Sequence, residues 1–205
     1  GLPCLAEIPD VPSPIKGRGQ SPAAAFRRIV AGESLLAEAF RRLRVRLIQS
    51  RQDSRRNILM VTSGVPGEGK TVVSVNLAVS LAMDGRRTLL IDCDLRYHTL
   101  STVLGLADEP GLTRYLKQDQ ETPGPWPILR HDFGVASLDV APAGRRALHS
   151  AELLGSDRMA EFLHAMRQEY DWIIIDTPPL HAVADASVLA PLADGVILTA
   201  RYRLA

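Results

Sequence analysis

Cysteine is nearly absent: Cys4 and Cys93 are the only two in 205 residues. That is too few for a disulfide framework at this length, so a reducing compartment is expected. No apolar run approaches the roughly 20 residues that a membrane-spanning helix needs. A signal-peptide core is also missing, and the sequence opens on Gly1 rather than Met, as expected of a piece cut from a longer chain. Neither sign of charge dominates, with 24 Lys and Arg against 23 Asp and Glu for a formal net charge of +1. That balance argues against a protein whose main task is to coat nucleic acid. Internal repeats and low-complexity tracts are lacking as well. The five histidines (98, 131, 149, 164 and 181) show no metal-ligand spacing.

What is present suffices for a core, since 46% of residues are hydrophobic and 23% charged. Residues 1–33 read as an irregular arm, because Pro3, Pro9, Pro12, Pro14 and Pro22 alternate with Gly17, Gly19 and Ser21. Residues 34–205 read as one domain. Leu36, Phe40, Leu43 and Leu47 recur at helical spacing, predicting an amphipathic helix from Ser34, its N-cap, to about Ser50. Strand and helix then alternate. Ile58–Thr62, Thr88–Ile91, Trp172–Ile175 and Gly195–Thr199 read as strands, with Val135–Val140 as a further candidate. Helices are predicted over Thr71–Met83, Ser150–Glu169 and Ala186–Leu192. Apolar runs without alternation mean strands covered on both faces. The expected fold is α/β: a three-layer α/β/α sandwich of the P-loop NTPase type, around a mostly parallel sheet.

The strongest motif is Gly64-Val65-Pro66-Gly67-Glu68-Gly69-Lys70-Thr71, which fits G-x-x-x-x-G-K-[ST] between a strand and a helix. Gly64 and Gly69 let successive N–H groups turn inward onto a polyphosphate, and the following helix, including Val72, points its positive end there. Lys70 neutralises the outer phosphates and Thr71 offers a hydroxyl to Mg²⁺. Asp92 and Asp94 end one strand and Asp176 ends another. Ligands of open α/β sheets sit beyond such carboxyl ends. Asp176 suits the Walker-B role, while Thr71, Asp92, Asp94 and Asp176 form a candidate Mg²⁺ set. Asp92 and Asp94 share one side of their strand, so one can serve the metal and the other accept a proton; spacing does not assign them. ATP with Mg²⁺ is the expected ligand. Arg96 either stabilises charge on a transferring phosphoryl group or pairs structurally with a carboxylate.

These motifs resemble those of the bacterial tyrosine kinases, or BY-kinases. Gly64–Thr71, Leu89–Arg96 (LLIDCDLR) and Ile173–Pro179 (IIIDTPP) are similar to their Walker A, A′ and B signatures. Glu38-x-x-Arg41-x-x-Arg44 is similar to the helix by which that family self-associates into rings. Pro110–Thr113, Ala141–Gly144 and Ala151–Ser156 match further segments in the same order. The resemblance implies transfer of the ATP γ-phosphoryl to protein tyrosines, with Lys70, Asp92, Asp94 and Arg96 as the catalytic set. It also implies a homo-oligomer whose acceptors are its own or a neighbouring subunit's tyrosines. Its place would be the cytoplasmic face of the bacterial inner membrane, behind a membrane-spanning polysaccharide co-polymerase, in control of capsule or exopolysaccharide export. Relatives continue with a further helix, a strand and a tyrosine-rich tail, whereas Tyr97, Tyr115, Tyr170 and Tyr202 here are scattered. Leu148-His149-Ser150-Ala151 stands where relatives usually have Asn-Pro. Partitioning ATPases of the ParA/MinD type are the alternative, but they carry lysine where Val65 stands. A non-catalytic, ATP-dependent assembly module is the other.

Four weaker features complete the expectations. Between residues 16 and 56 basic residues (16, 18, 27, 28, 41, 42, 44, 46, 51, 55, 56) far outnumber the acids Glu33, Glu38 and Asp53. A subunit contact is expected there ahead of a solvated face or a lipid contact. Tyr97 is expected to pack rather than serve as a phosphorylation site, and Cys93 to be a small buried residue. Asp132-Phe133-Gly134 lacks the H-R-D loop and glycine lobe that would make it a eukaryotic-type kinase motif.

Overall fold

The computed structural model describes residues 4–9, 35–51, 53, 56–117 and 125–202. The predicted N-cap at Ser34, most of the proline-rich arm and the chain beyond residue 202 lie outside them. Among the described residues, helix α1 spans Leu35–Ser50 and strand β1 Ile58–Ser63. Helix α2 follows at Lys70–Met83, then β2 at Thr88–Asp92. Two short helices, α3 (Thr99–Leu104) and α4 (Leu112–Leu116), lead to strands β3 (Leu129–Asp132) and β4 (Ser137–Ala141). Helices α5 (Ser150–Leu154) and α6 (Asp157–Glu169) precede β5 (Trp172–Asp176). Helix α7 (Asp185–Leu189), a 3₁₀ turn at Ala190–Leu192 and β6 (Gly195–Thr199) end the order.

The six strands lie in the order β3-β4-β2-β5-β1-β6, all parallel except the antiparallel β3–β4 pair. Alternate side chains of the same strands feed two separate cores. Leu59, Val61, Trp172 and Ile174 join α1, α2 and α3 on one face. Ile58, Met60, Ile173 and Ile175 join α4, α5, α6 and α7 on the other. Both faces being dry, no position in β1, β2 or β5 is free to be polar until the strand ends, and the runs read as unbroken hydrophobics. This is the expected three-layer α/β/α sandwich.

Two readings are corrected. Strand β3 and the short helices α3 and α4 were not foreseen: β3 reads Leu-Arg-His-Asp and is only half-covered, so it carries no apolar run. The predicted helix over Ser150–Glu169 is two helices. Ser156 starts α6 as its N-cap, its side chain accepting from the Met159 N–H, and Gly155 closes α5 with its N–H on the Ala151 carbonyl. Asp132-Phe133-Gly134 is the β3–β4 hairpin turn, with Gly134 at φ 82° donating its N–H to Asp132 Oδ1.

The stripe Leu36, Phe40, Leu43 and Leu47 buries α1 against α2 as expected. Arg44 departs from the role drawn for it. Its guanidinium donates to the Ser80 carbonyl at 2.7 Å and lies 3.4 Å from Asp84, with 17% of the side chain exposed. Ser80 offers one of the last-turn carbonyls that a helix cannot satisfy internally, so Arg44 caps α2 from outside. Arg44→Ala should cost about 1–2 kcal/mol, the worth of a charged donor to a part-buried carbonyl, and lower the melting temperature by several degrees. An unchanged melting curve would contradict this. Glu38 instead pairs with Arg41 and Arg42 on the outer face of the same helix. Residues 4–9 have no regular structure; Leu5, Ala6 and Ile8 rest on the first core, and Arg46 donates to the Cys4 and Leu5 carbonyls.

Candidate active site

Strand β1 ends at Ser63, and the chain must reverse within six residues to start α2 at Lys70. Gly67 and Gly69 make that possible, both at φ 86°, a left-handed backbone that side chains rarely tolerate. Gly64 was expected to supply one of the two bends, but it is Gly67 that does. Alternating left-handed residues turn consecutive N–H groups to one side and form an anion-binding nest at the start of α2. Glu68 points outward: its carboxylate accepts from Val65 N–H at 3.0 Å and from Arg201 N–H at 3.4 Å. These hydrogen bonds hold its carboxyl below the usual range despite some burial. Glu68 therefore offers a phosphate only its backbone N–H, whereas the Val65 N–H is taken by Glu68 and Pro66 has none; both of those side chains are exposed. The Val72 side chain packs on the first core, so only its backbone is available to the loop.

The parallel register sets Asp92 of β2 opposite Asp176 of β5, at the same end of the sheet as the loop. Asp176 is fully buried, accepting from the Thr71 hydroxyl at 2.8 Å and the Ser74 hydroxyl at 2.9 Å. Burial pushes its carboxyl up, while Lys70 and the two hydroxyls draw it back. Lys70 Nζ stands 3.8 Å from Asp94 Oδ2, and Asp94 Oδ1 accepts from Tyr97 N–H at 3.1 Å. Lys70, Thr71, Asp94 and Asp176 thus converge as expected.

Asp92 does not stand free as a metal ligand. Its Oδ2 takes the Ser101 N–H at 2.9 Å and the Ser101 hydroxyl at 2.6 Å, and Oδ1 takes Asp94 N–H at 3.1 Å. Burial, and then the charge of Asp176, raise its pKa to about 7. A carboxyl ordinarily near 3.8 therefore binds more protons folded than unfolded between those values, so its contribution to stability fades as pH rises towards 7. Cys93 is buried as expected and its thiol is pushed far up, which excludes a nucleophile. Hard oxygens from Thr71 and Asp176 fit Mg²⁺, an ion that takes one or two protein ligands with water and phosphate. Among the described residues no cluster of three His, Cys, Asp or Glu exists that would suit a softer, all-protein site.

Surrounding loops fix these groups. The Thr62 and Thr177 hydroxyls exchange bonds with the Pro178 and Val61 carbonyls across β1 and β5. Leu180 N–H donates to the Ser63 carbonyl, laying the Thr177–His181 segment along the phosphate loop. The motifs Pro110–Thr113 and Ala141–Gly144 meet each other: Leu112 N–H donates to the Pro142 carbonyl and Thr113 N–H to that of Ala143. Ser101 ties them in, its hydroxyl accepting from Ala143 N–H. His98 takes a left-handed backbone at φ 38°, beside the aspartates, as strained residues near functional sites do. Tyr97 is 67% exposed, contrary to the expected packing. His164 lies on the surface. Arg96 binds within the chain, its Nε donating to Ser150 Oγ at 2.8 Å and lying 3.8 Å from Asp185 Oδ2.

Sequence reasoning missed Ser74, Ser101 and Asp185. Ser74 lies one helical turn from Lys70, facing the Asp176 that was named, and that spacing was the available signal. Nothing local marks the other two.

A family model described as an AAA domain matches residues 57–203. The tyrosine-protein kinase YwqD of Bacillus subtilis is 37% identical over 185 residues, covering 89% of this chain and 76% of that protein. The putative tyrosine-protein kinase EpsB of Ralstonia solanacearum is 34% identical over 98% of this chain, which spans 27% of its length. Among solved structures, the kinase domain of the Escherichia coli tyrosine kinase ETK superposes with a TM-score of 0.77 at 34% identity, over 88% of this chain and 69% of that one.

Proposed function

The chain belongs to the bacterial tyrosine kinase family, and on that footing we propose that it transfers the γ-phosphoryl group of Mg-ATP to protein tyrosines. The observation that carries the reading is the convergence of Lys70 with Asp94 and of Thr71 with Asp176 on the nest at Gly67 and Gly69. The nest N–H groups and the Lys70 ammonium hold the β- and γ-phosphates. Thr71 and Asp176 are the groups that would hold Mg²⁺, which when bound neutralises charge on the phosphates. The tyrosine oxygen forms a bond to Pγ as the bond from Pγ to the bridging oxygen of ADP breaks. The phenol proton passes to a carboxylate. Asp92 is the acceptor the surroundings favour, because a pKa of about 7 matches the base to neutral pH and its Oδ1 accepts only one bond. Asp94 keeps Lys70 extended towards the phosphates.

Since kcat/KM reports the free enzyme's base, it should rise with pH through about 7 and level off above. Asp92→Asn should remove that limb and lower the rate about a hundredfold. If Asp94→Asn removes the limb and Asp92→Asn does not, the two roles are exchanged.

Labelled ATP with Mg²⁺, followed by phosphoamino-acid analysis on a tyrosine polymer substrate, tests the activity. Phosphotyrosine is the expected product. Released phosphate without labelled protein would support an ATPase switch, and neither product an assembly module. Self-association through the exposed face of α1 belongs to the same proposal, with Glu38 and Arg41 presented outward and Arg44 anchoring the helix from within. Arg41→Ala should lower the particle mass measured by light scattering. Among the described residues no helix is long and apolar enough to cross a membrane. A place beneath a membrane-spanning polysaccharide co-polymerase, in control of capsule or exopolysaccharide export, completes the proposal and rests on the family's likeness.

A further inference from the structure

Asp185 opens α7 with no exposed surface, and neither of its carboxylate oxygens has a hydrogen-bond partner. Asp92 and Asp176, equally buried, accept three and two hydrogen bonds. A buried carboxylate without such bonds is costly, and an apolar residue of similar volume would be cheaper. The cation beside it is Arg96, with Nε 3.8 Å from Oδ2. The same Nε donates to the Ser150 hydroxyl at 2.8 Å. One edge of a rigid planar fork is thus pinned between two elements, α5 and α7, that pack on each other. Among the described residues the terminal nitrogens on its other edge find no hydrogen-bond acceptor, and the side chain is 38% exposed. Arg96 follows Asp94, the neighbour of Lys70, by two residues, so its backbone leaves β2 beside the phosphate loop.

We propose that Asp185 is a positioning residue: with Ser150 it holds the Nε edge of Arg96, so that the free edge of the guanidinium meets the oxygens of the phosphoryl group in flight. The proposal rests on the phosphoryl-transfer reading above but not on tyrosine being the acceptor. It settles the two roles left open for Arg96, since the structural pairing is what makes the catalytic one possible. A guanidinium held in advance stabilises developing charge without first having to reorganise. Sequence alone could not join the two residues, which lie on separate strand exits.

Calorimetry with ADP, Mg²⁺ and aluminium fluoride, a mimic of the transferring phosphoryl, reads this directly. Asp185→Asn should weaken binding of that mimic about tenfold while leaving ADP affinity within about twofold. In the Arg96→Gln background Asp185→Asn should have no further effect, because it acts through the arginine. Melting temperature should stay within a few degrees, since asparagine keeps the volume, the Asp185 oxygens lose no hydrogen bond, and Arg96 remains 38% exposed to water. Equal weakening of ADP and the mimic, an unchanged mimic affinity, or the same loss in the Arg96→Gln background would each overturn the proposal. If Asp185→Asn does not fold, Ser150→Ala removes the other anchor and is judged by the same three outcomes. Wild-type protein that binds the mimic but labels no tyrosine would count against the kinase reading alone.

Discussion

Lys70→Met lowers phosphoryl transfer by about a thousandfold or more in the expected result, with the melting temperature held within a few degrees. The side chain sits at the first residue of α2 with 12% exposure, and its contacts are polar, to Asp94 at 3.8 Å and Thr71 at 3.5 Å. Methionine keeps the length and most of the apolar stem, so the core beneath is undisturbed. What disappears is the ammonium that stands at the phosphate loop, in a pocket where Asp94 and Asp176 are both buried and negative charge is already crowded. Removing it leaves those carboxylates facing the phosphates uncompensated, which is why the loss should exceed that of a single hydrogen-bond donor. Transfer of labelled phosphate alongside a thermal melt checks both halves. Activity within tenfold of wild type would mean that the nest alone holds the triphosphate.

Gly111→Ala should be the most damaging single methyl group in the fold. A Cβ there would lie 2.3 Å from the Pro142 carbonyl oxygen, 2.4 Å from Gly144 N and 2.7 Å from the Ala143 carbonyl carbon. All three are backbone atoms and cannot swing aside. The two chains can part only by losing the bonds from Leu112 N–H to Pro142 and from Thr113 N–H to Ala143. Adding the strain of overpacking to two buried, unsatisfied pairs gives about 3–5 kcal/mol, or a melting temperature lower by roughly 10 °C. Gly105→Ala is the useful contrast: it has open space around it but a φ of +74°, so only backbone strain of about 1 kcal/mol is expected. A similar loss in both variants would show that crowding is not the cause. The effect should also reach the site, because Ala143 donates to the Ser101 hydroxyl that holds Asp92.

The parts of this structure that could be read from residues alone are those set by local or periodic chemistry. Runs such as Trp172–Asp176 announce strands because both faces need apolar side chains, and Gly64–Thr71 announces its nest because only glycine takes the required bends. Asp176 and Thr71 followed from topology, since parallel strands deliver their ends to one edge. The unread parts depend on contacts across distant loops. Nothing near Arg44 tells that Ser80 stands opposite, and the pattern of Glu38, Arg41 and Arg44 looks uniform until the third residue is seen to turn inward. Helix Ser150–Glu169 kept its period through Gly155 and Ser156, so apolar spacing outvoted a cap signal that was present. Strand β3 has its place from pairing with β4 rather than from its own composition. Which of the two strand-end aspartates is tied back, and which stays near Lys70, was a matter of where Ser101 falls.

The external cap on α2 carries a mechanical consequence. That helix has 14 residues, about 20 Å of rigid rod, with the triphosphate cradle at one end and the Arg44 clasp at the other. Any neighbour that grips the outside of α1 is thereby coupled to the far tip of the same rod. Tilting one end swings the other, so under the proposed self-association a grip on α1 and a nucleotide on the loop would share a single lever arm.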